Sequence, residues 1–188
     1  SRGLGDVYKR QYPHSLFIAD YVVTHTVSWN GLNDEGLIFG KNYASGGVDY
    51  TLRAPSVGSS YTGSGDSERG TPQSNEWDRL LDKDDGYIKN WRDIGSWGQD
   101  TLPNTLSNRV IRGRYDLPRK YAGANTTLSF PFLGFRPVLE VPNPGTLGAD
   151  GLKAVTLNLG GGKLGGSSDA IHIIVKNGSN CLLYTSPS

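Results

Sequence analysis

Residues 72–83 read PQSNEWDRLLDK, and this stretch holds the clearest helix signal in the chain. Trp77 and the leucine pair three and four residues later share one helical face, so we expect Trp77 to pack in the core. Ser74 is expected to cap the first turn. The DDG sequence at residues 84–86 predicts the end of the helix.

Segments on both sides of this helix are predicted strands. Residues 17–29 (FIADYVVTHTVSW) alternate and are rich in β-branched side chains, which indicates one or two strands. Residues 108–112 and 134–141 have a similar character, whereas residues 113–133 between them have no period. Residues 31–70 are rich in Gly, Ser and Asn and are expected to form long loops with short strands.

A change of composition follows at residue 142. The sequence PNPG at residues 142–145 indicates a linker, because two prolines resist both helices and sheet ladders. Residues 154–159 and 170–176 alternate and are separated by Gly-rich sequence, which predicts a hairpin. We therefore expect a domain at residues 12–141, a linker at 142–153 and a truncated β-repeat domain at 154–180.

Both ends of the chain are expected to be translated sequencing adapter. Codons for residues 181–188 (CLLYTSPS) can be written as the reverse complement of codons for the body of residues 1–11 (SRGLGDVYKRQ). Such segments are left out of fold reasoning, and we expect them to lie outside the folded domain. Residues 12–180 would then be a piece of a longer gene product.

Composition narrows the function classes for residues 12–180. These residues keep 16 basic and 17 acidic side chains once Arg2, Lys9, Arg10 and Asp6 are set aside, which does not indicate nucleic-acid binding. The chain has no Met and its single cysteine is Cys181, so thiol catalysis, thiolate metal sites and disulfides are excluded from residues 12–180. No apolar run approaches the roughly twenty residues of a membrane span.

Five short motifs together resemble the formylglycine-generating-enzyme-like domains, in the same order along the chain. They are FIADYVVT (17–24), PQSNEWDRLL (72–81), SWGQDT (96–101), RVIRG (109–113) and GFRPV (134–138). The resemblance implies the C-type-lectin-like fold, an α+β class with short strands, one or two helices and long loops. In addition, VTLNLGGGKLGG at residues 155–166 is similar to the start of an internalin-type β-repeat of bacterial surface proteins.

The resembled family includes both oxidases and binding proteins without catalysis. A formylglycine-type oxidase needs a cysteine pair to hold copper, and residues 12–180 contain no cysteine. Iron-dependent relatives need a histidine cluster, but the chain has only His14, His25 and His172, which are far apart in the sequence. We therefore expect no enzyme activity, no catalytic residue, no metal site and no cofactor.

Recognition is expected in the irregular segment 113–133, the interval that supplies the exposed ligand face in the resembled family. Tyr and Arg contribute large contact areas, and Asn adapts its hydrogen bonds. The candidate ligand-binding residues are Tyr115, Asp116, Arg119, Lys120, Tyr121 and Asn125, with Trp91 and Trp97 as candidate stacking platforms. The residues expected to be structural are Trp77, Arg112, Gly113, Gly134, Phe135 and Arg136.

The sequence therefore predicts a non-catalytic, adhesin-like module at the outer surface of a bacterial cell. Its partner would be an extracellular protein or a glycan, and neither nucleic acid nor a membrane span is expected. Two alternatives stay open: a structural spacer domain in a surface stalk, and a phage receptor-binding protein.

Overall fold

The fold is mainly β. A computed structural model describes residues 15–45, 48–63, 68–141, 152–158, 170–175 and 181–185. Between residues 15 and 141 the described residues form eleven strands in three sheets and two short α-helices. The predicted α+β class is therefore wrong. Much of the sequence expected to form loops pairs as strands instead, and such pairing depends on distant partners rather than on local composition.

The strands and helices are numbered in chain order. The α-helices are α1 (Trp29–Asp34) and α2 (Glu76–Lys83), and a short 3-10 helix covers Asp85–Tyr87. The strands are β1 (Ser15–Ile18), β2 (Thr24–His25), β3 (Lys41–Ser45), β4 (Val48–Arg53), β5 (Ser60–Thr62), β6 (Arg69–Thr71), β7 (Gly95–Leu102), β8 (Thr105–Arg112), β9 (Tyr121–Asn125), β10 (Leu133–Phe135), β11 (Val138–Val141), β12 (Leu152–Asn158), β13 (Ala170–Val175) and β14 (Cys181–Thr185).

Two five-stranded sheets make up most of the structure. The first has the order β14-β1-β11-β4-β3, and the second has the order β2-β10-β7-β8-β9. β1 pairs antiparallel with β11, with Ser15 opposite Val141, so the two ends of the domain close side by side. In the second sheet β10 is parallel to β7, and the other pairs are antiparallel.

The motif GFRPV joins these two sheets. Residues 134–141 were predicted as one strand, but β10 lies in the second sheet and β11 in the first. The break falls at Arg136 and Pro137, and proline has no N–H with which to continue a ladder. The carbonyl of Pro137 accepts a hydrogen bond from Ala19 N at 3.0 Å, which fixes the crossover beside the end of β1.

Helix α2 confirms the strongest local prediction, with a different cap. The side chain of Asn75, rather than that of Ser74, accepts a hydrogen bond from Asp78 N at 2.9 Å. Trp77 is fully buried on the inner face of the helix. Helix α1 was not predicted; its N-cap is Ser28, whose hydroxyl accepts from Gly31 N at 2.9 Å.

The core consists of two clusters of buried side chains. One lies between the five-stranded sheets and contains Trp29, Trp97 and Phe135. The other contains Trp77, with α2 packed against strands of both sheets. The indole N–H groups of Trp29, Trp77 and Trp97 each donate to a main-chain carbonyl, at 2.9–3.0 Å. Three large aromatic side chains are thus buried without an unpaired donor.

A buried ion pair connects α2 to the second sheet. Asp78 and Arg112 lie 2.6 Å apart, and both side chains are fully buried. Asp78 also accepts hydrogen bonds from Gly70 N and Asn75 Nδ2, each at 2.7 Å. Arg112 donates in addition to the carbonyl oxygens of Val57 and Arg119. The pair therefore connects α2 and β8 to three further segments, at Val57, Gly70 and Arg119.

The C-terminal strands are partly in line with the sequence analysis. β12 pairs antiparallel with β13, which confirms the predicted hairpin. β14, in the segment assigned to adapter, pairs with the outer edge of β1. The assignment of this segment to adapter stays a prediction. An open strand edge presents unpaired main-chain groups that accept a strand of almost any sequence. The predicted adapter at residues 1–11 and residues 142–151 of the predicted linker lie outside the described residues.

The buried ion pair yields a first prediction. Asp78→Asn should lower the free energy of unfolding by about 3–5 kcal/mol, because it leaves the Arg112 charge buried without a counter-charge. Urea denaturation at neutral pH measures this change. Asp82→Asn is the matched control on the same helix: its side chain is 47% exposed and contacts Arg69 and Arg119, so a loss below about 1 kcal/mol is expected. Equal losses for both variants would contradict the central role of Asp78.

A second prediction concerns pH. Burial alone would raise the pKa of Glu76. The ion pair with Arg53 and the hydrogen bonds from Ser56 lower it by more, so the pKa lies below its ordinary value of 4.5. Both guanidinium nitrogens of Arg53 that face Glu76 lie 2.6 Å from its carboxylate. A carboxyl group whose pKa is lowered by folding stabilises the folded state when the pH is above the pKa of the unfolded chain. This contribution is lost as the pH falls through the pKa of the folded state.

The melting temperature should therefore fall below about pH 4.5, and part of this fall should come from Glu76. Glu76→Gln should melt at a lower temperature than the parent protein at neutral pH. The gap between the two proteins should narrow as the pH is lowered, because protonation removes from the parent the same charge that the substitution removes. Thermal unfolding followed by circular dichroism across this pH range measures the gap, and a constant gap would argue against the role of Glu76.

Candidate functional site

A surface cavity of about 630 Å³ lies where three segments of the chain meet. The segments are the connection between β1 and β2, residues 85–92 after α2, and residues 116–118 after β8. The side chains that give the cavity its chemistry are Tyr21, Asp85, Lys89, Trp91, Arg92 and Asp116. The cavity is large enough for a small organic ligand.

Arg136 joins the first two segments from inside the protein. Its side chain is fully buried, and Nη1 donates to the carbonyl oxygens of Ala19 and Asp20. Nη2 donates to Lys89 O at 2.6 Å and to Asn90 Oδ1 at 3.1 Å. The turn that carries Tyr21 and the segment that carries Trp91 are therefore held by one guanidinium group.

The third segment is held by other interior residues. Trp77 Nε1 donates to Pro118 O at 3.0 Å, and Arg112 Nη2 donates to Arg119 O at 3.2 Å. Gly113 has a positive φ of 81°, and a Cβ atom there would come within 3.4 Å of the Cβ atom of Trp91. A residue with a Cβ atom would therefore be strained by this backbone conformation, and its Cβ atom would lie in van der Waals contact with Trp91. The walls of the cavity are positioned by buried contacts rather than by the cavity side chains themselves.

The cavity combines aromatic surface with charges of both signs. Tyr21 is 54% exposed, and Trp91 is half-buried against the core. The guanidinium carbon of Arg92 lies 5.5 Å from the centre of the Trp91 ring, within the range of a cation–π contact. Two carboxylates (Asp85, Asp116) and two cations (Lys89, Arg92) supply hydrogen-bond acceptors and donors.

Two of the predicted binding residues meet in this cavity. Trp91 and Asp116 are 25 residues apart in the sequence, and both line it. Tyr115, next to Asp116, is 53% exposed beside the cavity and has a positive φ of 60°. Trp97 is fully buried and its indole N–H donates to Val27 O, so it offers no stacking surface.

The other predicted binding residues have internal contacts. The guanidinium of Arg119 contacts Asp78 at 3.3 Å and Asp82 at 2.9 Å. Lys120 is half-buried, and its carbonyl accepts from Gly113 N. The side chain of Asn125 accepts from both the N–H and the hydroxyl of Thr127 and closes a turn.

Tyr121 lies in β9, within the segment that was predicted to be aperiodic. It pairs with Arg112 across the β8–β9 ladder, is 6% exposed, and donates its hydroxyl to Gly58 O at 3.0 Å. Burial raises the pKa of Tyr121 above its ordinary value, which keeps the phenol protonated as a donor. This position does not fit a role as an exposed anchor.

The six residues expected to be structural all lie in the interior. All six are buried: Trp77, Arg112, Gly113, Gly134, Phe135 and Arg136.

Four cavity side chains were not singled out from the sequence: Tyr21, Asp85, Lys89 and Arg92. Tyr21 stands some 70 positions before Trp91 and lies within a predicted strand, and no local pattern links it to residues 85–92. The single available signal was the aromatic and charged character of residues 87–93, around Trp91.

Comparison with family models, with curated proteins and with solved structures found no match. In the described part of the chain, no cluster of three or more His, Cys, Asp or Glu residues is arranged to hold a metal ion. Within the same ranges, no helix has the length and apolar character to cross a membrane.

A third prediction separates the two tyrosines of the segment 113–133. Tyr121→Ala should lower the free energy of unfolding by about 3 kcal/mol or more, as expected for truncation of a buried aromatic side chain. Tyr115→Ala should change it by less than about 0.5 kcal/mol, because that ring is more than half exposed. Chemical denaturation of both variants measures the difference. If Tyr121→Ala is as stable as the parent protein, Tyr121 becomes a candidate ligand-binding residue again.

Proposed function

We propose that this protein is a non-catalytic binding module that takes a sugar residue of a glycan in the cavity between residues 20–21, 85–92 and 116–118. The observation that supports this most directly is the composition of the cavity on a pre-formed frame. Aromatic side chains stand next to carboxylates and cations, and the main chain around them is held by Arg136, Trp77 and Arg112. Pre-formed cavities bind without a large ordering cost.

Sugars match this chemistry in two ways. One face of a pyranose ring is made of C–H groups and packs on an aromatic ring, for which Tyr21 and the exposed part of Trp91 are available. The hydroxyl groups both donate and accept, so they pair with Asp85 and Asp116 as well as with Lys89 and Arg92. Together with the predicted bacterial surface location, this favours an adhesin-like role outside the cell.

A structural spacer domain is the second candidate. Arg119 and Tyr121, two of the residues expected to bind, make internal contacts that support the fold. Under this alternative the cavity has no ligand, and residues 113–133 serve only to stabilise the fold. The resemblance to formylglycine-generating-enzyme-like domains remains a prediction and is compatible with either candidate.

A fourth prediction tests the binding proposal. A glycan array followed by calorimetry should identify a glycan that binds the parent protein, and Tyr21→Ala should weaken that binding by about 1–2 kcal/mol, as loss of an interface anchor does. The melting temperature should stay unchanged, because Tyr21 is 54% exposed.

Leu106→Ala is the matched control for this experiment. Leu106 is 77% exposed on β8 and does not line the cavity, so its truncation should leave both binding and melting temperature unchanged. If no glycan binds the parent protein at millimolar concentration, the spacer domain becomes the better account. Equal losses for Tyr21→Ala and Leu106→Ala would place the binding site elsewhere.

A further inference from the structure

The guanidinium group of Arg114 packs against two aromatic rings. Its central carbon lies 3.4 Å from the ring centre of Phe132 and 4.2 Å from that of Tyr115. Phe132 in turn packs against Phe130 at 5.2 Å between ring centres, and Phe130 is 47% exposed. Contact with two rings restricts the orientation of the planar cation, which lowers the entropy that a ligand contact would cost.

The edge of this guanidinium has no acceptor in the described part of the chain. Among the described residues, no carboxylate or carbonyl oxygen lies within hydrogen-bond or ion-pair distance of it. This differs from Arg112, Arg119 and Arg136, whose nitrogens donate to protein oxygens at several points. The N–H donors of Arg114 lie in the plane of the group, and none of its nitrogens is a buried, unpaired atom, so these donors are open to solvent.

The backbone of this site is in an unusual conformation. Arg114 and Tyr115 have φ values of 84° and 60°, both in the left-handed region that side chains with a Cβ atom disfavour. Two main-chain hydrogen bonds hold them there: Arg114 N donates to Trp91 O at 2.5 Å, and Tyr115 N donates to Arg92 O at 3.0 Å. Backbone strain of this kind concentrates at functional sites.

We propose that Arg114 forms a carboxylate-binding site beside the cavity, and that the ligand is therefore an acidic glycan containing a uronic acid. An exposed guanidinium edge binds a carboxylate through two parallel hydrogen bonds. The cavity itself contains two cations and two carboxylates, and Arg114 adds a positive charge that makes no ion pair with the described residues. Tyr115 separates Arg114 from the cavity residue Asp116, which places the two sites next to each other.

This inference depends on the proposed function, and the experiment tests the two separately. Hexamers of galacturonic acid, of mannuronic acid and of hyaluronan are each compared with their methyl esters by calorimetry at one fixed, low salt concentration. The ester keeps the sugar and removes the charge. The proteins are the parent, Arg114→Gln, Tyr21→Ala and the control Arg109→Gln. Arg109 also stacks on an aromatic ring, at 4.3 Å from Trp29, but it donates to main-chain carbonyls and lies outside the cavity.

At least one acid hexamer should bind the parent protein about tenfold or more tightly than its ester, a difference of about 1.4 kcal/mol. Arg114→Gln should abolish this preference while ester binding stays the same, and Arg109→Gln should keep it. Tyr21→Ala should weaken acid and ester alike.

Three results would overturn the carboxylate site. The first is equal binding of every acid and its ester, and the second is a preference for the acid that survives in Arg114→Gln. The third is a hexaglutamate peptide that binds as tightly as the best acid hexamer, because this would assign the carboxylate to a protein partner. If acid and ester bind equally and Tyr21→Ala weakens both, the glycan proposal stands and only the acidic preference falls. Absence of any glycan binding would remove both proposals.

Discussion

Asp78 and Arg112 meet in the interior with no exposed side-chain surface, and most of the tertiary arrangement follows from satisfying this pair. A buried ion pair is tolerated when most of its remaining donors and acceptors find partners. Here Arg112 Nε is buried without a partner, but the other polar atoms of the pair bond to main-chain groups of Val57, Gly70 and Arg119, which come from three different parts of the chain. The pair thereby fixes where the sheet, the helix and the segment after β8 lie relative to one another.

Arg136 performs the corresponding task on the other side of the site. Its guanidinium donates hydrogen bonds to the carbonyl oxygens of residues 19, 20 and 89. These bonds fix the positions of two connecting segments relative to each other. Loops held by a rigid interior can present different side chains at small cost to stability. This separates the interior arginines, which determine stability, from Tyr21 and Asp116, which are exposed, and from the half-buried Arg114.

Local patterns predicted some elements well. Helix α2 follows from the spacing of Trp77 and the two leucines, and the hairpin of β12 and β13 follows from alternation, because both signals need only neighbouring residues. Strand β9 has the sequence YAGAN, in which alanine and glycine carry little strand propensity. It becomes a strand because β8 supplies a partner along its whole length, and this partner cannot be read from the five residues themselves. The same limit explains why the α+β class was wrong.

The sequence by itself determined the residue types that this protein can use: no cysteine in residues 12–180, an almost balanced charge, and aromatic and arginine residues concentrated around residues 91 and 113–133. Only the tertiary structure decided which of them are exposed together. Arg119 and Tyr121 turned inward because Asp78 and Gly58 lie within reach of their polar atoms, whereas Tyr21 joined Trp91 and Asp116 at the surface. The physical reason is that hydrogen-bond partners and cavity walls come from segments distant in sequence, and their meeting depends on the fold as a whole.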